Sequence, residues 1–92
     1  MIRSFACSDT EALPKGNRVK RFAGMATIAR RKLRQLDIAA NLDDLNVPPG
    51  NRLEALKGDR AGQYSIRIHR QGRICFRWTE AGAEDVDIMD DH

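Results

Sequence analysis

The order of hydrophobic and polar positions predicts helices in the first half of the chain. Between residues 25 and 36, apolar side chains recur every three or four positions, a spacing that places them on one helix face. These residues are Met25, Ile28, Ala29, Leu33 and Leu36. A shorter helical turn is predicted to run to Leu13 from a cap at Ser8 or Asp9. The Pro-Pro-Gly run at 48–50 ends the helical region, because proline lacks a backbone donor and glycine permits a reversal.

The second half of the chain alternates between apolar and polar residues with a period of two. Tyr64, Ile66 and Ile68 alternate with Ser65, Arg67 and His69, and Ile74, Phe76 and Trp78 alternate with Arg73, Cys75 and Arg77. Both patterns are typical of half-buried strands. If the apolar sets share a face, their pairing centres on Gln71. The segment 70–72 is then a three-residue loop, with Gly72 in the left-handed conformation.

Two further segments extend the predicted sheet. A reversal near 81–83 brings Val86 and Ile88 beside Phe76 and Trp78, and the apolar run 2–5 is predicted as an edge strand. Helices followed by consecutive strands indicate an α+β fold, with N-terminal helices packed on one face of a mainly antiparallel, twisted sheet. A length of 92 residues fits one domain, 1–92.

Composition excludes several classes of protein. With 41% hydrophobic and 32% charged residues, the chain is too apolar for disorder. No run approaches the roughly 20 apolar residues of a membrane helix, and the N-terminus does not resemble a signal peptide, so we expect a cytoplasmic protein without a membrane partner. Cys7 and Cys75 lack the spacing of a zinc site or a disulfide framework, and we expect no metal or other cofactor.

The formal net charge of +3 conceals strong segregation of charge. Residues 15–34 carry many bases and no acid, whereas the chain from Glu80 onward carries acids and no base. The predicted sheet face opposite the helices gathers several arginines: Arg67, Arg73 and Arg77. Like charges on one face repel each other, so they require anionic partners. Asp85 and Asp87 are internal candidates and a phosphate-bearing ligand is the external one; both alternatives stay open here.

Several segments resemble the HigB-type toxins, also called host-inhibition or proteic killer proteins, of the RelE/ParE superfamily. The resemblance rests on the opening Met-Ile-Arg-Ser-Phe, the stretch 53–68, the strand 73–78 and the final Asp-Asp-His. Its most specific part is Leu-Lys-Gly-Asp-Arg at 56–60 followed by Tyr-Ser-Ile-Arg at 64–67. The resemblance implies a RelE/ParE-like fold and a type II toxin that cleaves messenger RNA in the ribosomal decoding site. It also implies silencing by a HigA-type helix-turn-helix antitoxin, with operator DNA contacted only indirectly through that antitoxin.

The resemblance implies a set of catalytic residues that suits metal-independent RNA cleavage. This chemistry needs a base for the 2′-hydroxyl, cations for the phosphorane and an acid for the leaving 5′-oxygen. The implied catalytic residues are Glu54, Lys57, Arg73, Asp90 and His92. The residues expected to bind RNA are Arg67, Arg77, Asp91, Arg30, Arg31 and Arg34. Which residue acts as base and which as acid stays open.

Four positions depart from the family pattern: Pro14 stands where relatives commonly keep an aromatic residue beside the first helix, and three others bear on the implied site. Glu54 stands where relatives often carry histidine, Asp91 where they carry tyrosine, and Gly72 where they carry an aromatic residue. A carboxylate at 54 is still a competent base. Asp91 cannot stack on an unpaired base, and Gly72 removes an apolar brace beside Arg73. These departures predict a nuclease of reduced potency.

Two other functions compete with RNA cleavage. A ParE-like toxin has the same fold but inhibits DNA gyrase and cuts nothing, and it would leave messages intact. A basic DNA-binding domain is the third alternative, although the basic segment shows no helix-turn-helix spacing.

Overall fold

The computed structural model describes residues 1–70 and 72–90, apart from the side chain of Asp90. In this part of the chain, helices precede a four-stranded antiparallel sheet of order β1-β2-β3-β4, which confirms the α+β prediction. The helices are α1 (Ser8–Ala12) and α2 (Ala26–Ile38), and the strands are β1 (Glu54–Ala55), β2 (Tyr64–Arg67), β3 (Gly72–Thr79) and β4 (Gly82–Asp90). Short 3₁₀ turns lie at Lys20–Phe22, Leu42–Asn46, Pro49–Asn51 and Gly58–Arg60. No helix in the described ranges has the length and apolarity needed to cross a bilayer.

Helix α2 buries the face that its periodicity predicts. Ala29, Leu33 and Leu36 are at most 1% exposed, and Ile28 packs at the margin of the core. The opposing layer is the apolar face of the sheet, which contributes Ile66, Ile74, Phe76, Val86 and Ile88. Each such aliphatic side chain contributes about 1.5–3 kcal/mol when removed from water. The helices therefore cover one face of the sheet and do not cover the face that carries the arginines.

Helix α1 begins at Ser8, but neither predicted cap is used. Its N-cap is Cys7, which makes no side-chain capping bond, and the Asp9 carboxylate instead lies 3.0 Å from Arg21 Nε. The backbone N–H of Thr10 lowers the pKa of the Cys7 thiol, with a smaller contribution from Arg21. Buried Thr10 accepts a hydrogen bond of 3.1 Å from the Ile88 N–H through its Oγ1, which ties α1 to β4.

The β2–β3 pairing is shifted from the predicted register. Ile66 lies opposite Ile74, and Arg67 lies opposite Arg73, so the pairing centres on Arg70 rather than Gln71. The shift changes each partner by two residues. Because the side-chain period of a strand is also two, the apolar set still faces the helices. The prediction of faces is confirmed and the prediction of register is wrong.

Gly72 does not occupy the predicted left-handed position. It begins β3, and its carbonyl accepts hydrogen bonds from the N–H groups of Ile68 (2.8 Å) and His69 (3.4 Å). A Cβ at this position would lie 2.9 Å from Met25 Sδ. A side chain at 72 would therefore have to displace the Met25 side chain, which fills the space that an aromatic residue at 72 would need.

The β3–β4 hairpin contains a bulge that the sequence prediction lacked. Thr79 pairs with Gly82, so the reversal comes earlier than predicted, and Ile88 lies opposite Ile74 rather than beside the predicted pair Phe76 and Trp78. The register shifts between Cys75 and Arg77, and Asp85 has a left-handed φ of 53°. The Ser4 Oγ accepts a hydrogen bond of 2.9 Å from the Asp85 N–H.

The N-terminal segment runs along the free edge of β4. Isolated parallel bridges join Ile2 to Ala83 and Phe5 to Val86, in place of the continuous edge strand predicted for 2–5. The Arg3 N–H donates to Ala83 O at 2.7 Å, and the Ala6 N–H donates to Val86 O at 2.9 Å. These bonds shield one sheet edge and leave β1 as the opposite edge.

Candidate nucleic-acid interface

Glu54 and Arg73, two of the predicted catalytic residues, meet on the helix-free face of the sheet. The Arg73 Nη1 lies 3.0 Å from Glu54 Oε2 and 3.3 Å from Ser65 Oγ. The register explains the contact, because Glu54 pairs with Ser65 across β1 and β2, and Arg73 lies diagonally across on β3. The two charged side chains are 50% and 35% exposed, so solvent and ligands reach them.

Lys57 presents a cation at the same sheet edge. It stands two residues beyond β1, directly before the 3₁₀ turn Gly58–Arg60, and it is exposed. Its ammonium group makes no hydrogen bond or ion pair with the part of the chain that the structure describes. Lys57 is therefore available to an external anion, whereas Arg73 must exchange Glu54 for one.

The last predicted catalytic residues are only partly covered by the structure. The backbone of Asp90 ends β4 opposite Gly72, next to the pair formed by Arg73 and Met89. The Asp90 side chain, Asp91 and His92 lie outside the described residues, so their predicted roles stay predictions.

Arg60 is a contributor to this face that the sequence analysis did not single out. Its Nη2 lies 3.8 Å from Asp87 Oδ2 and 3.0 Å from Met89 Sδ, so the connection between β1 and β2 approaches β4. Ser65 and Cys75, between these strands, are at most 3% exposed although they point away from the helices. Cys75, which its alternation with Phe76 places on the arginine-bearing face, is therefore buried rather than displayed there. No periodic signal identifies Arg60, because it lies in a connecting turn.

The sheet arginines find partners within the protein. Arg77 Nε lies 3.4 Å from Asp85 Oδ2, and the Arg67 Nε donates a hydrogen bond of 3.0 Å to the His69 carbonyl. Together with the Arg73–Glu54 pair, these contacts favour internal pairing at two of the three predicted arginines. Arg67 has no carboxylate partner among the described residues.

The three arginines predicted to bind RNA from α2 differ in their contacts within the protein. Arg30 holds the preceding loop, since its Nε donates to Leu13 O at 2.9 Å and its Nη2 donates to Asn17 O at 3.0 Å. Arg31 and Arg34 are exposed. Arg31 and Arg34 line one groove together, and Arg34 shares a second groove with Arg30. Arg31 also lines a cleft with Arg67 of the sheet.

The chemistry of the site follows from these groups. Lys57 and Arg73 supply positive charge for a phosphate, and Glu54 supplies an oxygen base beside Arg73. The described residues contain no cluster of three or more His, Cys, Asp or Glu side chains arranged to hold a metal ion. The arrangement suits anion binding combined with proton abstraction by a carboxylate.

Comparison with known proteins supports a toxin fold. A YoeB/ParE toxin from Agrobacterium tumefaciens has a structure that superposes with a TM-score of 0.50, covering 99% of this chain and 98% of that one at 20% identity. Toxin HigB-1 of Vibrio cholerae serotype O1 is 47% identical over 62 residues, which span 67% of this chain and 64% of the relative. An uncharacterized protein of Haemophilus influenzae is 35% identical over 51 residues, covering 55% of this chain and 50% of that protein.

The architecture, helices on one face of an antiparallel sheet, is thus that of the YoeB/ParE class of toxins. Residues 15–92 also match the family model described as the HigB-like toxins, which are RelE-like toxins of type II toxin–antitoxin systems. The chain belongs to this HigB-like toxin family. The resemblance stated from the sequence is confirmed.

Proposed function

We propose that this toxin is a ribosome-dependent endoribonuclease that cleaves translated messenger RNA without a metal ion. The observation that carries the proposal is the arrangement of Glu54, Arg73 and Lys57: a carboxylate 3.0 Å from a guanidinium, with an exposed ammonium group at the same sheet edge that pairs with no described residue. RNA cleavage through the 2′-hydroxyl requires this combination of base and cations.

In the proposed reaction, the scissile phosphate displaces Glu54 from Arg73 and is held by Arg73 and Lys57. The released Glu54 carboxylate accepts the proton of the 2′-hydroxyl, whose oxygen attacks the phosphorus and displaces the 5′-oxygen. The backbone pairing of Asp90 with Gly72 brings the end of β4 next to Arg73. On that basis we assign the protonation of the 5′-oxygen to the final residues, with His92 as the proton donor and Asp90 as its partner.

The partners follow from this activity and from the family. The toxin acts in the cytoplasm on messages bound to the bacterial ribosome, and a HigA-type helix-turn-helix antitoxin silences it. Contact with operator DNA occurs only through that antitoxin.

The test is cleavage of a message in a bacterial translation extract, read by mapping new 5′ ends. We expect codon-phased cuts with the unaltered protein and a loss of at least about a hundredfold in rate for Lys57→Ala combined with Arg73→Ala, because both phosphate contacts disappear. Arg3→Ala, an exposed arginine at the opposite edge of the sheet, is the matched control and should cut normally.

Two outcomes would overturn the proposal. Cleavage that continues at full rate in the double variant would exclude the assigned phosphate site. Intact messages accompanied by impaired supercoiling would instead identify a ParE-like inhibitor of DNA gyrase.

A further inference from the structure

A strongly cationic cleft lies away from Glu54 and Lys57. It has a volume of about 430 Å³ and is bounded by α2, the Pro49–Asn51 turn and the β2–β3 hairpin. Its charged or titratable lining residues are Arg31, Lys32, Arg52, Arg67, His69 and Arg70. No Asp or Glu lines it among the described residues. We name this feature the basic cleft.

The cations of the basic cleft are not neutralised within the described chain. Acidic side chains pair elsewhere with Lys15, Arg21, Arg60, Arg73 and Arg77. Arg31, Lys32, Arg52, Arg67 and Arg70 have no such partner among the described residues. Because like charges held together destabilise the fold, this concentration indicates a requirement for an external anion.

The cleft is also held in place by buried polar contacts. The Lys32 Nζ donates to Asn51 Oδ1, and fully buried Asn51 donates through its Nδ2 to Leu45 O at 3.1 Å and to Gln35 Oε1 at 3.2 Å. Burial, together with the nearby charge of Arg31, lowers the pKa of Lys32, so the protein holds this cation where charge is costly. An anion in the cleft would offset that cost.

The position of Arg67 connects the basic cleft to the proposed cutting site. Arg67 lines the cleft and lies directly opposite Arg73 in the β2–β3 register. Residues opposite each other on antiparallel strands have Cβ atoms about 4.5–5.5 Å apart, so the Arg67 side chain begins beside that of Arg73. A strand with one phosphate at Arg73 therefore brings its next phosphates toward Arg67 and the cleft.

We propose that the basic cleft binds the phosphate backbone of RNA, independently of base sequence, as a contact separate from the one at the scissile phosphate. This inference rests on the proposed function, because it takes RNA as the ligand. The guanidinium groups would donate paired hydrogen bonds to phosphate oxygens, and no base edge needs to be read.

The test measures binding without cleavage. The probe is a short, fluorescently labelled 2′-O-methyl oligouridylate, which lacks the attacking hydroxyl, and its affinity is followed by anisotropy over a range of salt concentrations. The variant combines Arg31→Gln, Arg52→Gln and Arg70→Gln, three exposed positions. Arg3→Gln, Arg18→Gln and Lys20→Gln together form the matched control, because they remove the same charge from exposed positions outside the cleft.

We expect the cleft variant to lose about a hundredfold in affinity at about 0.1 M salt, with its log–log salt slope reduced by about 2, since each single-strand phosphate contact contributes roughly 0.7. The control triple should lose less than about threefold, because diffuse charge is screened. Urea unfolding verifies that both triple variants are folded. Each should have a urea midpoint equal to or higher than that of the unaltered protein.

Three results would overturn the inference. The first is equal loss of RNA affinity in both triples, which would indicate diffuse charge alone. The second is unchanged affinity in the cleft variant. The third is binding of polyglutamate as tight as that of the oligouridylate and equally lost in the cleft variant, which would indicate an acidic protein segment as the ligand. Codon-phased cutting that depends on Lys57 and Arg73 would still support the proposed function in each case, so the two failures are distinguishable.

Discussion

Glu54 faces two competing demands at the scale of single residues. It neutralises Arg73 at a distance of 3.0 Å in the unliganded protein, and in the proposed reaction it must release Arg73 to act as a base. A half-exposed ion pair is worth about 0–1 kcal/mol, so a phosphate can displace it at small cost. The carboxylate therefore reduces affinity for RNA only slightly.

Glu54→Gln separates these demands, because glutamine keeps the size of the side chain but has no charge and cannot take a proton. We expect the affinity for non-cleavable RNA to rise by up to about fivefold, which corresponds to about 1 kcal/mol. The single-turnover cleavage rate should fall by about a hundredfold or more, the usual contribution of a general base. Asp85→Asn is the matched control, since it removes the carboxylate that faces Arg77 at 3.4 Å, and it should cut at the normal rate. Unchanged cleavage by Glu54→Gln would exclude the base.

The sequence could predict which residues share a face of the sheet, but not which ones touch. Alternation alone places Ser65 and Arg73 on the arginine-bearing side, whereas the position of Glu54 on that side follows from its pairing with Ser65. The contact of Arg73 with Ser65 depends on the register, and the predicted register placed Arg77 opposite Ser65 instead. Strand register is set by hairpin geometry and by packing such as that of Gly72 against Met25, which no periodic pattern encodes.

At the scale of elements, the bulge in β4 reconciles a tight turn with a continuous apolar face. If the pairing continued without interruption from Thr79–Gly82, Val86 would lie opposite Cys75. Val86 and Ile88 would then both point away from the helices. One extra residue at Asp85 restores the alternation, so that Ala83, Val86 and Ile88 are all buried. The sequence predicted that Val86 and Ile88 belong to the core, but not the bulge that places them there.

Deletion of Asp85 tests this role. Without the extra residue, Val86 and Ile88 would turn outward, at a cost of about 3–6 kcal/mol, which is a large share of the stability of a small protein. We expect the deletion variant to be largely unfolded by circular dichroism. Asp85→Gly, which adopts the left-handed φ without a side chain, should keep its free energy of unfolding, measured in urea, to within about 1 kcal/mol despite losing the Arg77 pair. A stably folded deletion variant would show that the bulge is dispensable.

At the scale of the whole molecule, charge is distributed by tertiary contacts that sequence segregation does not show. The acidic C-terminal strand does not stand beside a basic surface as a separate strip. Its Asp85 and Asp87 lie against Arg77 and Arg60. The cations without a carboxylate partner among the described residues include those of the basic cleft, which come from three distant segments. Only the fold brings these segments together, so the cleft could not be predicted from the charge pattern.

The start of the chain meets the beginning of β4 at the β3–β4 hairpin. A Cβ at Gly82 would overlap the Met1 carbonyl oxygen, which accepts a hydrogen bond of 2.8 Å from the Ala83 N–H. Gly82 also has a φ of 128°, a conformation that L side chains rarely adopt. Because of both constraints, the N-terminal segment can cover the edge of β4 in this way only when residue 82 is glycine.

Gly82→Ala should therefore detach the N-terminal segment from β4. Backbone strain and the lost hydrogen bonds predict a decrease of about 2 kcal/mol or more in the free energy of unfolding. Hydrogen exchange should accelerate at the amides of Arg3 and Ala6, which donate to β4, and stay slow at Ala29 within α2. Gly24→Ala is the matched control, because a Cβ there meets no atom within 4 Å. If Gly82→Ala left the exchange at Arg3 and Ala6 unchanged, close packing at Gly82 would not be what holds the segment. Faster exchange at Ala29 as well would mean that the change loosens the whole core rather than one edge.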